Sequence, residues 1–392
     1  MIASCPEVAR PLGERWATGL ECSRTGATAP LDAPASLSPA GAPWLVRYRL
    51  DPSLGPGWRQ ALSRRPWTAW RYRELLPVAH FAERVDLGEG GTPLIPLRRL
   101  APPGIRAWVK EEGGNPSGSF KARGLSMAVN RARELGAQGV ELASAGNAAI
   151  ALAQYAAACG MPARVALPQA TPATVEERCR AFGAEVVRGG STLVEARQRL
   201  AAAGEGFSDL STFREPYRVE GKKTMGLELA EQLGWELPEW IVYPTGGGTG
   251  IVGMAKAFHE LRQLGLAGDR LPRLAAVQMA GCAPLVRAFR RGAAAAAPWQ
   301  DVQTQVWGLR VPRALAGSLV LAALRESGGE AVTVREEEVP RMAARAAREE
   351  GLLVGPEGAA ALAGLQRLAR EGKLKEGERV VVFQTGHPDN YR

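Results

Sequence analysis

Between residues 125 and 210 the apolar positions switch repeatedly between two periods. Leu125, Ala128, Val129, Ala132 and Leu135 share the spacing of one helical face, and Gly136 supplies the stop. Short, continuous apolar runs predict strands over 140–143, 164–167 and 184–187. Between them the pattern predicts helices over 148–159 and 174–182, ended by Gly160 and Gly183. Strands this short, joined by single helices, form a parallel sheet with right-handed crossovers. A second such unit follows, with strands predicted over 241–243, 274–279, 331–334 and 380–383 and helices near 221–233, 250–264, 282–291, 338–350 and 357–371. A short strand at 107–110 precedes both units. The alanine run 293–297 before Pro298 reads as a helix end or loop, and nothing repeats with a solenoid period.

Residues 1–85 are rich in Pro, Gly and Trp and have weak periodicity. They read as an extension packed on the body through Trp67, Trp70, Tyr72 and residues 73–77, because aromatic side chains carry much buried area. A turn-forming cluster at 87–94 leads into the body. The expected organisation is an α/β protein with two open parallel-sheet domains: a small one over 125–210 and a large one made of 86–124 and 211–392.

Composition narrows the class. The chain has 392 residues, 46% of them hydrophobic, enough for roughly two to three domain-sized units. No apolar run approaches the roughly 20 residues of a membrane-spanning helix. Glu7, Arg10 and Glu14 stand where a signal peptide would be apolar, so a cytoplasmic location is expected. Cys5, Cys22, Cys159, Cys179 and Cys282 are scattered, odd in number and without a Cys-x-x-Cys pair, which argues against a disulfide framework or a structural zinc. The net charge of +9 comes from arginines spread along the chain rather than clustered between aromatics, so no nucleic-acid partner is expected. That charge helps to attract anionic metabolites.

Candidate chemistry centres on residues 114–124, where Lys121 follows a glycine- and serine-rich turn and opens the first amphipathic helix. Only seven lysines occur in the chain (110, 121, 222, 223, 256, 373 and 375), so arginine is its default cation. An amine that must lose its proton to attack a carbonyl has to be lysine. Lys121 is therefore the candidate covalent attachment point for a cofactor, with Ser117, Ser119 and Phe120 lining the turn.

Three further loops lie between a predicted strand and a helix or the strand's end, where open α/β sheets bind ligands. Ser144, Ala145, Gly146 and Asn147 precede a helix whose first N–H groups can hold a carboxylate. Asn147 reads as a helix cap or as an amide able to bond a phenolic oxygen. Gly246, Gly247, Gly248, Thr249 and Gly250 suit a phosphate, although a flexible turn fits as well. Residues 248–253 also match a dinucleotide fingerprint formally, without the acidic residue expected about 20 positions on. Thr385 ends the last predicted strand, either as a turn residue or as a partner for a ring nitrogen.

Together, Asn115-Pro116-Ser117-Gly118-Ser119-Phe120-Lys121, Gly88-Glu89-Gly90-Gly91-Thr92-Pro93-Leu94, the segment 217–224 and Thr385-Gly386-His387 resemble the fold type II pyridoxal-phosphate enzymes of the tryptophan synthase β class, and within it the threonine synthases. The resemblance spans residue 66 onward. It implies pyridoxal 5'-phosphate in the cleft between the two domains, bound as a Schiff base to Lys121 beside Phe120. Asn147 would face its 3'-oxygen, Gly246 to Gly250 its phosphate and Thr385 its pyridine nitrogen. The implied reaction is γ-elimination of phosphate from O-phospho-L-homoserine and addition of water at the β-carbon. Ser144, Ala145 and Gly146 would then hold the substrate carboxylate, and Ser117, Arg218 and Lys223 the departing phosphate.

The resemblance also implies a homodimer. Ala122, Ala145 and Ala148 replace the family's usual aspartate and threonines. Thr25 stands where longer relatives carry a second cysteine, so no metal is expected. A threonine or serine dehydratase, a β-replacement enzyme acting on another phosphorylated amino acid, and a non-catalytic binding protein on this scaffold are the competing readings.

Overall fold

A computed structural model describes residues 15–33, 36–202 and 206–391. Cys5 and the charge pattern of Glu7, Arg10 and Glu14 lie outside them.

The described chain begins with β1 (Ala17–Cys22), β2 (Thr28–Ala29) and β3 (Trp44–Tyr48), an antiparallel sheet in the order β2-β1-β3, followed by helix α1 (Leu54–Leu62). The sequence pattern did not predict these elements. Trp58 on α1 is fully buried and donates to Glu74 Oε2 at 2.9 Å. Trp70 donates to Glu89 Oε1 at 2.6 Å, and the Tyr72 hydroxyl to Glu231 Oε2 at 2.8 Å. These bonds satisfy the polar tips of buried rings, and the last two fasten the segment to the body. Trp67 was an expected anchor, but it is 49% exposed and lies against the Arg71 guanidinium.

Next come β4 (Leu94–Pro96), β5 (Arg106–Glu111) and α2 (Lys121–Glu134). A four-stranded parallel sheet in the order β8-β7-β6-β9 is built from β6 (Gly139–Ala143), β7 (Ala163–Leu167), β8 (Glu185–Arg188) and β9 (Phe207–Asp209). Helices α3 (Asn147–Ala158), α4 (Ala173–Ala181) and α5 (Leu193–Ala202) connect its strands. Helix α6 (Tyr217–Gln232) leads to β10 (Trp240–Pro244), α7 (Thr249–Gln263), β11 (Arg273–Met279), α8 (Pro284–Arg290), α9 (Gly317–Glu326), β12 (Glu330–Val334), α10 (Glu338–Arg345), α11 (Pro356–Arg370) and β13 (Arg379–Gln384). The second sheet has the order β12-β11-β10-β13-β5-β4, parallel except for β4. The architecture is α/β with two open, mainly parallel sheets. No described helix is long and apolar enough to cross a membrane.

Strand order positions the site. β13 lies between β10 and β5, and all three run in the same direction. Their carboxyl ends therefore share one sheet edge, and the segments 112–120, 245–248 and 385–387 emerge side by side. Helix α2 is buried from Ala122 to Ala132, polar residues included. It packs closely on α6: a Cβ at Gly221 would lie 2.0 Å from the Arg123 carbonyl oxygen, so only glycine fits that crossing.

Candidate active site

Lys121 is the first residue of α2, and its loop is stitched to the end of β13. Phe120 N–H donates to Thr385 O at 3.0 Å, His387 N–H donates to Gly118 O at 2.7 Å, and Ser119 bridges Gly386. Gly118 has φ +68°, and a Cβ there would meet Asn390 Oδ1 at 2.6 Å, so glycine is required on both counts. Lys121 is half-buried, and its Nζ lies 4.4 Å from the Phe120 ring centroid. Desolvation, then the positive charge of Arg218, lowers its pKa to about 7, partly opposed by Glu357.

Arg218, in the first turn of α6, is 1% exposed. Its Nη1 donates to Leu210 O at 2.8 Å, while its Nε and Nη2 are buried without a hydrogen-bond partner. Buried guanidinium N–H groups without a partner favour an anion, and the charge of buried Glu215 offsets only part of the cost of burying Arg218. Lys222 is fully buried; its Nζ donates to the Phe120 carbonyl and lies 4.3 Å from the Phe120 ring centroid. Burial, then Lys121 and Arg218, pushes its pKa well below the usual lysine range. Lys223, the residue expected at the phosphate, instead pairs with Glu220 at 2.7 Å and Glu260 at 2.8 Å beneath the Tyr48 ring. The two lysines are adjacent on a helix and point to different surroundings, so Lys222 takes the place beside Lys121. Ser117 is buried, with its Oγ 3.5 Å from Ser119 Oγ.

The glycine loop supplies a cradle. Gly248 has φ +87° and caps α7, and a Cβ there would lie 2.2 Å from Val320 Cγ2. A Cβ at Gly246 would lie 2.4 Å from Gly308 O. With Gly247, Thr249 and Gly250, the bare backbone opens the first N–H groups of a helix to a phosphate. Thr245 is occupied elsewhere, with its Oγ1 donating to Tyr243 O at 2.9 Å. Thr385 is buried at the end of β13. Asn147 opens α3 behind the Ser144, Ala145 and Gly146 turn, with Gly146 N–H donating to Ser144 Oγ at 3.3 Å.

Sequence reasoning missed Glu357, in the first turn of α11. It accepts from Gly308 N–H at 2.8 Å, and burial raises its pKa. Its only sequence signal, an acidic residue after Gly-Pro, is shared by many ordinary helix starts. A lysine with a pKa of about 7, a glycine cradle at a helix start and neutral groups at the adjoining strand end fit pyridoxal phosphate.

Residues 85–386 match the family described as pyridoxal-phosphate dependent enzyme. The chain is 39% identical over 325 residues to the threonine synthase of Methanosarcina acetivorans, covering 82% of this chain and 79% of that one. The chain belongs to the threonine synthase family of pyridoxal-phosphate dependent enzymes. A second family member, from Methanocaldococcus jannaschii, is 36% identical over 332 residues, covering 84% of this chain and 82% of its own. The structure of maize serine racemase has a TM-score of 0.65 at 23% identity, covering 76% of this chain and 88% of that one, and shares the fold.

Proposed function

We propose that this chain converts O-phospho-L-homoserine and water to L-threonine and phosphate, with pyridoxal phosphate carried by Lys121 in the cleft between the two sheets. The observation that carries the reading is a second anion site apart from the glycine cradle: the open Nε and Nη2 of buried Arg218, with Lys222 and Lys121 nearby and Ser117 in the adjoining loop. A dehydratase substrate has no phosphate and would leave those N–H groups unsatisfied.

Pyridoxal phosphate, when bound, supplies an electron sink for charge developing on the substrate carbons. It would be held by Lys121, by the Gly246 to Gly250 backbone, by the Asn147 amide at its 3'-oxygen, and by Thr385 at its ring nitrogen, with Phe120 alongside. A hydroxyl at that nitrogen leaves it unprotonated, which suits elimination and replacement. The turn Ser144, Ala145 and Gly146 and the first N–H groups of α3 orient the substrate carboxylate. Arg218 binds the leaving phosphate and stabilises its growing charge, with Lys222 packed behind the lysine loop. With a pKa of about 7, the Lys121 amine accepts a proton from substrate carbon and returns it at neutral pH. The proposal includes a homodimer in the cytoplasm, the state the family resemblance implies; one chain mass per particle in solution would remove the dimer.

The test supplies O-phosphohomoserine to the cofactor-loaded protein and follows products. Equal amounts of inorganic phosphate and threonine are expected. Keto acid from threonine or serine, with no phosphate release, would replace this reading with a dehydratase.

The pKa of Lys121 makes a second prediction. Only the unprotonated amine attacks, so cofactor uptake by the apoprotein should be flat above pH 7 and fall about tenfold per unit below it. Arg218→Met removes a positive charge that disfavours the ammonium form, so the inflection should move up in pH, whereas Arg218→Lys keeps it nearer its original place. Stopped-flow absorbance over a pH series measures both.

A further inference from the structure

We propose that Asn390 is a positioning residue that fixes which end of the Asn147 amide faces the cofactor. The proposal rests on the reading above that Asn147 meets the 3'-oxygen. Asn390 sits in the turn after β13, 1% exposed, between the two sheets. Its Nδ2 donates to Asn147 Oδ1 at 2.6 Å and to Gly118 O at 3.0 Å, with Ser117 O at 3.4 Å. Its Oδ1 accepts from Arg178 Nη1 at 2.6 Å, and Arg178 Nη2 also donates to Asp389 O at 3.1 Å.

The direction of this chain follows from chemistry alone. Side-chain amides have two nearly isosteric ends, and only their partners decide between them. A guanidinium only donates, so the Asn390 atom facing Arg178 must be oxygen. A backbone carbonyl only accepts, so the Asn390 atom facing Gly118 must be nitrogen. Two independent partners thus agree on one orientation. Asn390 nitrogen then faces Asn147, whose oxygen must accept it.

Asn147 Nδ2 makes no hydrogen bond among the described residues and lies against Gly386, where an added Cβ would meet it at 2.9 Å. That N–H is left to donate to the 3'-oxygen and stabilise its anionic form. The reverse orientation would present a carbonyl and favour a neutral 3'-hydroxyl.

The relay also crosses the cleft. Arg178 on α4 and Asn147 on α3 belong to the four-stranded sheet, whereas Asn390 follows β13 of the six-stranded sheet and Gly118 belongs to the lysine loop. One amide therefore registers the 3'-oxygen donor against the lysine loop.

The experiment compares holoenzyme variants by two readouts: the ratio of the absorption bands of bound cofactor with neutral and with ionised 3'-oxygen, and the cofactor dissociation constant. Asn390→Asp keeps the shape and accepts from Arg178 but cannot donate to Asn147. It should shift the ratio toward the neutral form and weaken cofactor binding about tenfold, the scale of one reversed hydrogen bond. Arg178→Met should move the ratio the same way by less, and Arg178→Lys, still only a donor, should restore it. The Arg178 pair decides the matter if Asn390→Asp fails to fold. Asn147→Ala is the control. If it shifts the ratio while Asn390→Asp and Arg178→Met leave it at the wild-type value, the proposal falls and the cofactor reading stands. If Asn147→Ala itself changes neither readout, Asn147 does not meet the 3'-oxygen and both fall.

Discussion

Lys121→Ala is expected to lower turnover of O-phosphohomoserine by at least about 10³-fold, because one substitution removes both the covalent anchor and the proton carrier. The visible absorbance of bound cofactor should disappear with it. Lys222 cannot take over. Its Nζ is fully buried and bonded to the Phe120 carbonyl, and its chain leaves from α6 rather than from the lysine loop. Lys121→Arg should not rescue, because a guanidinium keeps its proton at any working pH. Phosphate release and the absorption spectrum, measured on the same preparation, check both statements. Activity within tenfold of wild type would remove Lys121 from the mechanism.

Most of the parallel strands were legible because they are short apolar runs, and burial on both faces of β7, β10 and β13 leaves no alternation to misread. Strands 107–110, 140–143, 241–243 and 380–383 all lie within observed strands. The amino-terminal sheet was not legible. Its strand pairing joins β1 to β3 across more than twenty residues, and the short β2 has no pattern of its own. Helices α5 and α9 and strands β4 and β9 were missed as well, since a three-residue strand such as Phe207–Asp209 is specified by its neighbour β6 rather than by its sequence.

The candidate site was legible where backbone geometry demands particular residues: the glycines at 246 and 248 and Gly118 in the turn before Lys121. It was not legible where the demand comes from distant segments. Amphipathic reasoning assumes one solvated face, but α6 is buried from Tyr217 to Ala230. Nothing local then distinguishes Lys222 from Lys223; only the glutamates at 220 and 260 and the ring of Tyr48 decide which lysine leaves the site. Asn390 and Glu357 reach the cleft from elements formed late in the chain, and their types are common at turns and helix starts.

Glu228→Ala is expected to cost about 3–5 kcal/mol of stability, because it leaves buried positive charge uncompensated. The Glu228 carboxylate is fully buried on α6. It pairs with Lys110 and with Arg123 Nη1 at 2.9 Å, and it accepts from the Gly91 and Thr92 N–H groups at 2.8 and 2.9 Å. Without it, Arg123 still has Glu112 at 2.7 Å, but Lys110 is left hydrogen-bonded only to the neutral oxygens of Thr92 and Gln232, with the Glu112 charge, shared with Arg123, beyond them.

Glu228→Gln, which retains an acceptor, should lose less. The double change Glu228→Leu with Lys110→Met should lose less than Glu228→Ala, since an apolar pair leaves no lysine behind. Arg123 and Lys110 hold the Glu228 carboxyl well below the usual glutamate range. A depressed folded-state pKa contributes stability that is complete above the ordinary glutamate value and is lost as pH falls through the folded value. Urea denaturation should therefore show the same gap between wild type and Glu228→Ala at pH 7 and pH 6, narrowing only in strong acid. Equal stability of the two proteins at pH 7 would mean that the network contributes nothing. Because Arg123 lies two residues from Lys121 in the same helix, the variant should also release pyridoxal phosphate faster, which connects the buried charges behind the loop to the amine in front of it.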